Sequence, residues 1–353
     1  MKILHTADIH LREYDDDRWK ALQELIRVGK EENIEIFIIS GDLFDKGINA
    51  ENLRPKIREI FTNTGFKIVI IPGNHDRDSY KPGFYFGKDI EILMDLNKPF
   101  KHKDIIIWGM PYERLEGEEI RNKLRSLAKN LPSDKKNILL YHGELIDTYF
   151  SRMDFGDEGE KRYMPIRLSY FKGFNIDYIL AGHFHSKFNV KKLENNGYFV
   201  YPGSPISITK KEIGQRNINI FEVGKEPQEY PINTPHFEEV IIELDPVWGE
   251  KSMKIIKRKL ENLHQDAKVI LTVKGFINSK SIGMSENELV DKIDNLVKNR
   301  CDDPKYEFKD IETILEDDLF IKFSKKLDKL EYNEKKKKQM CNTAIRAIME
   351  AQK

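Results

Sequence analysis

The sequence predicts an α/β protein, on three observations. Compact aliphatic runs, IEIFIIS at 34–40 and KIVII at 67–71 among them, have the length and composition of buried strands. Charged segments with apolar residues at helical spacing lie between those runs. The two patterns alternate along the first two-thirds of the chain, the order expected of buried sheets flanked by helices.

Taken in order, residues 2–5 form a short apolar start, and 19–30 place Trp19, Leu22, Leu25, Ile26 and Gly29 on one side of a helix. The run 34–40 stops at Gly41 and reads as a strand; a charged helix follows at 50–62. The strand at 67–71 ends at Pro72-Gly73, and an apparent strand follows at 90–93. Residues 104–109 read as a strand, 118–130 as a helix stopped by Pro132, and 137–141 and 177–181 as two further strands. The polar segment 224–236 carries Pro227, Pro231 and Pro235 and reads as a linker. Beyond it, a strand at 236–244, a helix at 253–263, a strand at 268–276 and a helix at 286–297 predict a small α+β domain. From about residue 311 the chain is charged and helical. Leu319, Phe320, Phe323, Leu327 and Leu330 form one apolar stripe, and Met340, Ala344, Ile345 and Ile348 a second, on either side of the lysine-rich stretch 331–339. The expected division is therefore 1–235, 236–309 and 310–353.

Composition narrows the function classes. The 353 residues are 39% hydrophobic and 33% charged, the profile of a globular chain. No apolar run approaches the ~20 residues of a membrane span, so no membrane association is expected. The opening MKILHTADIH has no long apolar stretch behind a basic start, so no signal peptide is expected either. Cys301 and Cys341 fit no zinc spacing and need not pair, which points to a reducing cytoplasm. Lys and Arg together number 59, as do Asp and Glu, so any nucleic-acid binding must come from a local patch or from metal ions.

The chemistry concentrates in five short segments: Asp8-Ile9-His10, Gly41-Asp42, Gly73-Asn74-His75-Asp76, His142, and Gly182-His183-Phe184-His185. Each follows a predicted strand, and ligands of open α/β sheets bind beyond the carboxyl ends of strands. In an extended segment residues i and i+2 face the same way, so Asp8 with His10, and His183 with His185, are each expected to reach one ion together. Asp42 adds a carboxylate able to bridge two ions, Asn74 a neutral oxygen and His142 another imidazole. Imidazole and carboxylate without thiolate suit Mn, Fe or Zn. Seven donors exceed one tetrahedral site but suit two ions ~3.5–4 Å apart, the arrangement that clamps an in-line displacement at phosphorus. His102, His236 and His264 stand alone and carry no expected role. Asp76, next to His75, is expected either to orient it or to cap its turn. Lys187, Lys191, Lys192, Lys210 and Lys211 follow the last motifs and form either a solvated charged surface or contacts to substrate phosphates, Lys187, Lys210 and Lys211 above all.

These five segments, in this order, resemble the signature of the calcineurin-like metallophosphoesterases. The wording ILHTADIHL, ISGDLFD, IPGNHD and AGHFH, with Tyr201-Pro202-Gly203-Ser204-Pro205 beyond, is similar to the SbcD-type nucleases of double-strand-break repair, over roughly residues 1–210. The resemblance implies a four-layer α/β/β/α sandwich, a smaller α+β capping domain that helps place DNA, and a helix–loop–helix tail. It implies two Mn²⁺ ions, one held by Asp8, His10, Asp42 and His185, the other by Asp42, Asn74, His142 and His183. His75 would assist the leaving group without binding metal. The expected activity is Mn-dependent exo- and endonuclease cleavage of DNA. The expected partner is an SbcC-like coiled-coil ATPase bound through the tail, which would supply ATP-driven control since this chain has no Gly-rich phosphate loop of its own; the alternative is that both tail stripes pack on the chain's own capping domain. Relatives also form a homodimer through helices that follow the Gly-Asn-His-Asp segment; here that stretch is short, and Arg12 stands where many relatives carry Gly. A phosphatase or small-molecule phosphodiesterase of the same superfamily would share the site. An inert scaffold with a relic site is the reading from another class; every expected ligand position holds a competent residue, which counts against it.

Overall fold

In the computed structural model, all residues are described except 82, 148–149, 152–153, 156–161, 248–251 and 352–353. The chain divides into two compact units, Met1–Phe237 and Glu238–Lys353. The first contains, in order, β1 (Lys2–Thr6), α1 (Asp17–Glu31), β2 (Ile36–Ser40), α2 (Ala50–Ile60), β3 (Lys67–Ile71), β4 (Ile90–Ile92), β5 (Phe100–His102), β6 (Ile105–Met110), α3 (Gly117–Ala128), β7 (Lys136–His142), β8 (Tyr178–Gly182), β9 (Asn189–Lys192), β10 (Tyr198–Tyr201), β11 (Asn217–Glu222) and β12 (Gln228–Pro231). The second contains β13 (His236–Leu244) apart from its first two residues, then α4 (Ser252–Glu261), β14 (Ala267–Ile277), α5 (Ser279–Ile282), α6 (Glu286–Val297), β15 (Lys305–Asp310), α7 (Glu312–Leu315), α8 (Asp318–Asp328) and α9 (Glu334–Ala351).

Two six-stranded sheets form the first unit, ordered β12-β11-β1-β2-β3-β4 and β5-β6-β7-β8-β10-β9. The centre of each is parallel, from β1 to β4 and from β6 through β7 and β8 to β10, as β–helix–β crossovers require. Ile3, Ile36, Ile38, Val69 and Ile71 of one sheet meet Ile107, Ile138, Leu140, Leu180 and Val200 of the other in a dry central layer. The opposite face of the first sheet packs on α1 and α2 through Leu22, Leu25, Leu53 and Ile57. The opposite face of the second packs on α3 through Ile120, Leu124 and Leu127. The result is the four-layer α/β/β/α sandwich. The helices start where the chain can cap them: Asp16 accepts from the Trp19 amide ahead of α1, and Asn49 from the Glu51 amide ahead of α2.

One expectation fails here. The segment read as a linker, 224–236, contains β12, which pairs antiparallel with β11, and Ile232 beyond it is 1% exposed in the helix-side core. Proline suggests a break, but an edge strand tolerates proline because only one of its sides must supply ladder donors.

In the second unit, β13, β14 and β15 form a sheet whose apolar face closes on α4 and α6. Residues 311–351 belong to this same unit. The stripes of α8 and α9 turn inward, with Phe320, Leu327, Cys341 and Ile345 gathered around Phe276 of β14. Leu319 and Leu330 remain outside, 68% and 44% exposed.

Candidate metal centre

The five predicted segments all leave the carboxyl ends of β1, β2, β3, β7 and β8. Neighbouring loops are stitched together by backbone bonds. The Asp8 amide donates to the Gly41 carbonyl at 3.1 Å, the His10 amide to the Asp42 carbonyl at 2.9 Å and the Leu11 amide to the Leu43 carbonyl at 2.8 Å. This brings side chains from far apart in sequence onto one floor.

The local conformation differs from the extended one expected. Asp8, His10, Asp42 and His183 have φ of 57°, 52°, 53° and 92°, all left-handed. Alternation along a strand is therefore not what aims them; each segment is a tight turn that bends its donors inward. A left-handed conformation costs a non-glycine residue about 1–3 kcal/mol, and such residues persist only where their surroundings hold them. Glycine permits the crowding. A Cβ on Gly41, itself at φ 100°, would lie 2.0 Å from His142 Nδ1, and one on Gly73 would lie 2.0 Å from Asp42 Oδ1.

Five of the seven expected ligands fall in close groups of donor atoms: those of Asp8, His10 and His185 lie within 4.8 Å of one another, as do those of Asp8, Asp42 and His142, and a third such group joins His10 to Asp45 and His75. Asp42 Oδ2 sits between the groups, 3.3 Å from His142 Nε2 and 3.8 Å from His10 Nε2. Asn74 Oδ1 is 2.9 Å from His142 Nε2, and the His183 ring packs beside that of His142, centroids 5.5 Å apart. The His183 amide donates to both oxygens of Asp8, at 3.1 and 2.9 Å.

The donor set fits divalent metal. Asp8, His10, Asp42 and His185 are each 4% exposed or less. His10 Nε2, Asp42 Oδ2 and His185 Nε2 are buried without a hydrogen-bond partner among the described residues. Leaving a buried polar atom unsatisfied costs about 1–3 kcal/mol, a penalty that a shared cation removes.

Electrostatics follow from burial among charges. Burial opposes ionisation of Asp42, but the imidazoles of His142, His10 and His75 outweigh it and hold the carboxyl below its usual range. For Asp8 burial dominates and the pKa rises. Burial alone would depress His142, yet Asp42 and Asp8 bring it up to about 9. Its Nδ1 donates to the Ser40 carbonyl at 2.8 Å, so the extra proton of the metal-free state resides on the Nε2 that faces Asp42 and Asn74.

His75 lies at the edge of this floor, its amide on Asp42 Oδ1 at 2.9 Å. Its Nδ1 is 3.1 Å from Asp45 Oδ1. An ionised carboxylate only accepts, so Nδ1 carries the proton of that bond. The orienting role expected of Asp76 thus falls to Asp45, which also lies 3.5 Å from His10 Nδ1, accepts from Arg18 Nη1 at 2.9 Å and pairs with Arg12. The Asp76 carboxylate is instead a strut for its own loop, taking the amides of Gly73 and Phe44 and the Tyr80 hydroxyl at 2.8, 3.2 and 3.0 Å. Burial and the nearby Asp42 raise its pKa to about 7.

Sequence reasoning misses two supporting carboxylates. Asp45 has a signal, three residues after Asp42 in the same strand-end loop. Glu212, which accepts from His185 Nδ1 at 3.3 Å, has none, being 27 residues away in sequence. Lys187, Lys192, Lys210 and Lys211 are exposed and Lys191 half-buried, all outside the buried cluster. A cleft of about 690 Å³ opens beside Asn74 and His75, lined also by Lys46, Tyr112, Arg114 and Tyr163.

The pattern of the family described as calcineurin-like phosphoesterase matches residues 1–187. The chain is similar to the DNA double-strand break repair protein Mre11 of Sulfolobus acidocaldarius, 24% identical over 305 residues, covering 77% of this chain and 74% of that protein. It is also similar to the DNA double-strand break repair protein Mre11 of Saccharolobus solfataricus, 26% identical over 235 residues, 60% of this chain and little more than half, 56%, of that protein. Among solved structures, TT1561 of Thermus thermophilus is 14% identical with a TM-score of 0.42, covering 62% of this chain and 92% of that one.

Proposed function

The chain belongs to the calcineurin-like phosphoesterase family, and from that premise we propose that it is a Mn-dependent DNA nuclease, both exo- and endonucleolytic, acting in double-strand-break repair. The observation that carries the reading is the cluster of donor groups sharing Asp8, with Asp42 Oδ2 between His10 and His142 and with His75 held beside them by Asp45. Two relatives named as double-strand break repair proteins support the choice of DNA over other phosphoesters.

Asp8, His10, Asp42 and His185 would hold one ion, and Asp42, Asn74, His142 and His183 the other. Bound there, the ions supply Lewis-acid neutralisation of the phosphodiester charge and make water acidic enough to attack at neutral pH. Mn²⁺ suits the imidazole, carboxylate and amide donors, which lack thiolate. Asp45 fixes the His75 ring through Nδ1, leaving Nε2 to protonate the departing oxygen. Burial of the floor excludes bulk water from the charges, which strengthens each interaction. The cleft beside His75 offers cations in Lys46 and Arg114, and Lys187, Lys210 and Lys211 would meet phosphates further along the strand.

Residues 236–309 would act as a DNA-positioning cap. Residues 310–353 would bind an SbcC-like coiled-coil ATPase, with Leu319 and Leu330 the apolar anchors still exposed on the tail. A homodimer and a cytoplasmic location belong to the same reading. Among the described residues no helix is long and apolar enough to cross a membrane.

The test is cleavage of DNA with defined single- and double-stranded ends in Mn²⁺, Mg²⁺ or chelator, beside a phosphoserine peptide. DNA cut only with Mn²⁺ supports the nuclease. Hydrolysis of the peptide with DNA left intact makes the chain a phosphatase.

A further inference from the structure

Behind one of the two donor groups lies a brace that none of the five motifs contains and that falls beyond residues 1–187. Glu212 is fully buried, yet its carboxylate accepts from His185 Nδ1 at 3.3 Å, from the Ile208 amide at 2.8 Å and from the Thr209 hydroxyl at 3.3 Å. Arg216, 1% exposed, donates Nε to the Ser204 carbonyl at 3.0 Å and Nη2 to the carbonyl of His185. Ser204 closes the loop: its amide donates to the His185 carbonyl at 3.0 Å and its hydroxyl to the Asp8 carbonyl at 2.8 Å. Main chain and side chain of His185, and the main chain of Asp8, are thereby held from behind.

We propose that Glu212 and Arg216 are positioning residues that preset His185 and Asp8 for one ion and make the two ion sites unequal, the Asp8–His10–His185 site binding more tightly. The proposal rests on the two-ion reading of the centre.

Stability alone does not account for the brace. Burying an arginine and a glutamate gains little net free energy, and apolar side chains of similar volume would hold a loop at least as well. Apolar side chains cannot accept the proton of His185 Nδ1. That bond fixes the tautomer and leaves Nε2, the buried atom without a partner, as the ligating nitrogen. The two donor groups differ in this respect. In the first, both imidazoles are backed by carboxylates, His185 by Glu212 and His10 by Asp45 at 3.5 Å. In the second, the partner behind His142 among the described residues is the Ser40 carbonyl, a weaker electron donor to the ring. A carboxylate behind an imidazole raises its basicity as a ligand, and losing such a partner costs ~10–100-fold in metal affinity.

The experiment is calorimetric titration of Mn²⁺ into the metal-free full-length protein. The unchanged chain should show two steps. Glu212→Gln keeps the volume but offers one acceptor oxygen where three donors converge; it should weaken the tighter step by ~10–100-fold and leave the weaker step in place. Because that single change leaves Arg216 as an uncompensated buried cation, the double variant Glu212→Gln/Arg216→Met is made alongside. It should melt like the parent without metal and still show the selective loss. Equal weakening of both steps, or unchanged affinity in a folded variant, would overturn the proposal and reduce the pair to a loop strut. Absence of any Mn²⁺ uptake by the unchanged protein would instead overturn the two-ion reading itself, and the brace with it.

Discussion

At the scale of single residues, the site separates groups that hold metal from groups that move protons. Asp42 is the residue whose oxygen reaches both donor groups, so Asp42→Ala should abolish Mn²⁺ uptake and cleavage together, checked by metal analysis beside nuclease rates. Full Mn²⁺-dependent activity in that variant would disprove the assignment of Asp42 as bridge. His75 should behave differently. Its replacement by Ala should lower turnover ~10²–10⁴-fold, the cost of a lost acid–base group, with metal retained. Asp45→Ala should follow in the same direction, and both losses should shrink on an ester with a good leaving group, which needs no proton. Uniform loss on all substrates would make His75 structural. His142 supplies a pH test. Its folded value, about 9, lies above the ordinary histidine value of 6.5, since Asp42 and Asp8 more than offset burial. A raised value means that the folded, metal-free protein binds the extra proton. That contribution to stability is complete below pH 6.5 and disappears as pH rises through 9. Metal competes for the same nitrogen, so Mn²⁺ affinity should rise over that window, with proton release visible in buffers of different ionisation enthalpy. Affinity flat across the window would mean His142 is neutral before metal arrives.

At the scale of elements, what is legible depends on how each feature is written in the chain. The central strands are plain because both faces are buried, so nearly every position is aliphatic: IFIIS in β2 and KIVII in β3. The ligands are plain because each sits just past such a run. The edge strands β9 and β12, NVKK and QEYP, are not, because one exposed side admits lysine and proline. The carboxylates behind the histidines are legible only where they are local. Asp45 shares a loop with Asp42, whereas Glu212 reaches His185 through chain topology that no spacing encodes. The conformation of the ligand loops escapes sequence reasoning because period-2 alternation describes a strand, and the donors lie on the left-handed turns beyond it. That geometry makes a prediction about glycine. At φ 100°, with His142 Nδ1 2.0 Å from an added Cβ, Gly41→Ala should cost about 1–3 kcal/mol for the backbone alone. It should also displace His142, lowering both melting temperature and Mn²⁺ stoichiometry. A variant with native stability and full metal content would show that the β2 loop has room to shift.

At the scale of the whole molecule, a chain with balanced charge is expected to bind a polyanion through local features. The division into units says where those features can be sought. Every candidate ligand, with His75, Asp45 and Glu212, lies within Met1–Phe237. Among the described residues, the three hydrophobic clusters that build this unit draw on none beyond Ile232. A fragment ending at Phe237 should therefore fold alone, take up the same Mn²⁺ as the full chain and hydrolyse a small chromogenic phosphodiester at an undiminished rate. Its cleavage of DNA should fall and its binding depend less steeply on salt, because the proposed cap is gone and only the phosphate contacts of the first unit remain. The tail is a separate matter. Phe276, Ile311, Phe320, Leu327 and Ile345 share one cluster, so a chain cut after Asp310 uncovers Phe276 and should destabilise the second unit while sparing the first. Comparing the two truncations distinguishes the roles. If metal content and small-ester turnover survive in both, the centre is autonomous and the second unit acts on DNA or a partner. If the fragment ending at Phe237 loses metal, the second unit supports the centre itself, and the assignment of chemistry to the first unit alone is wrong.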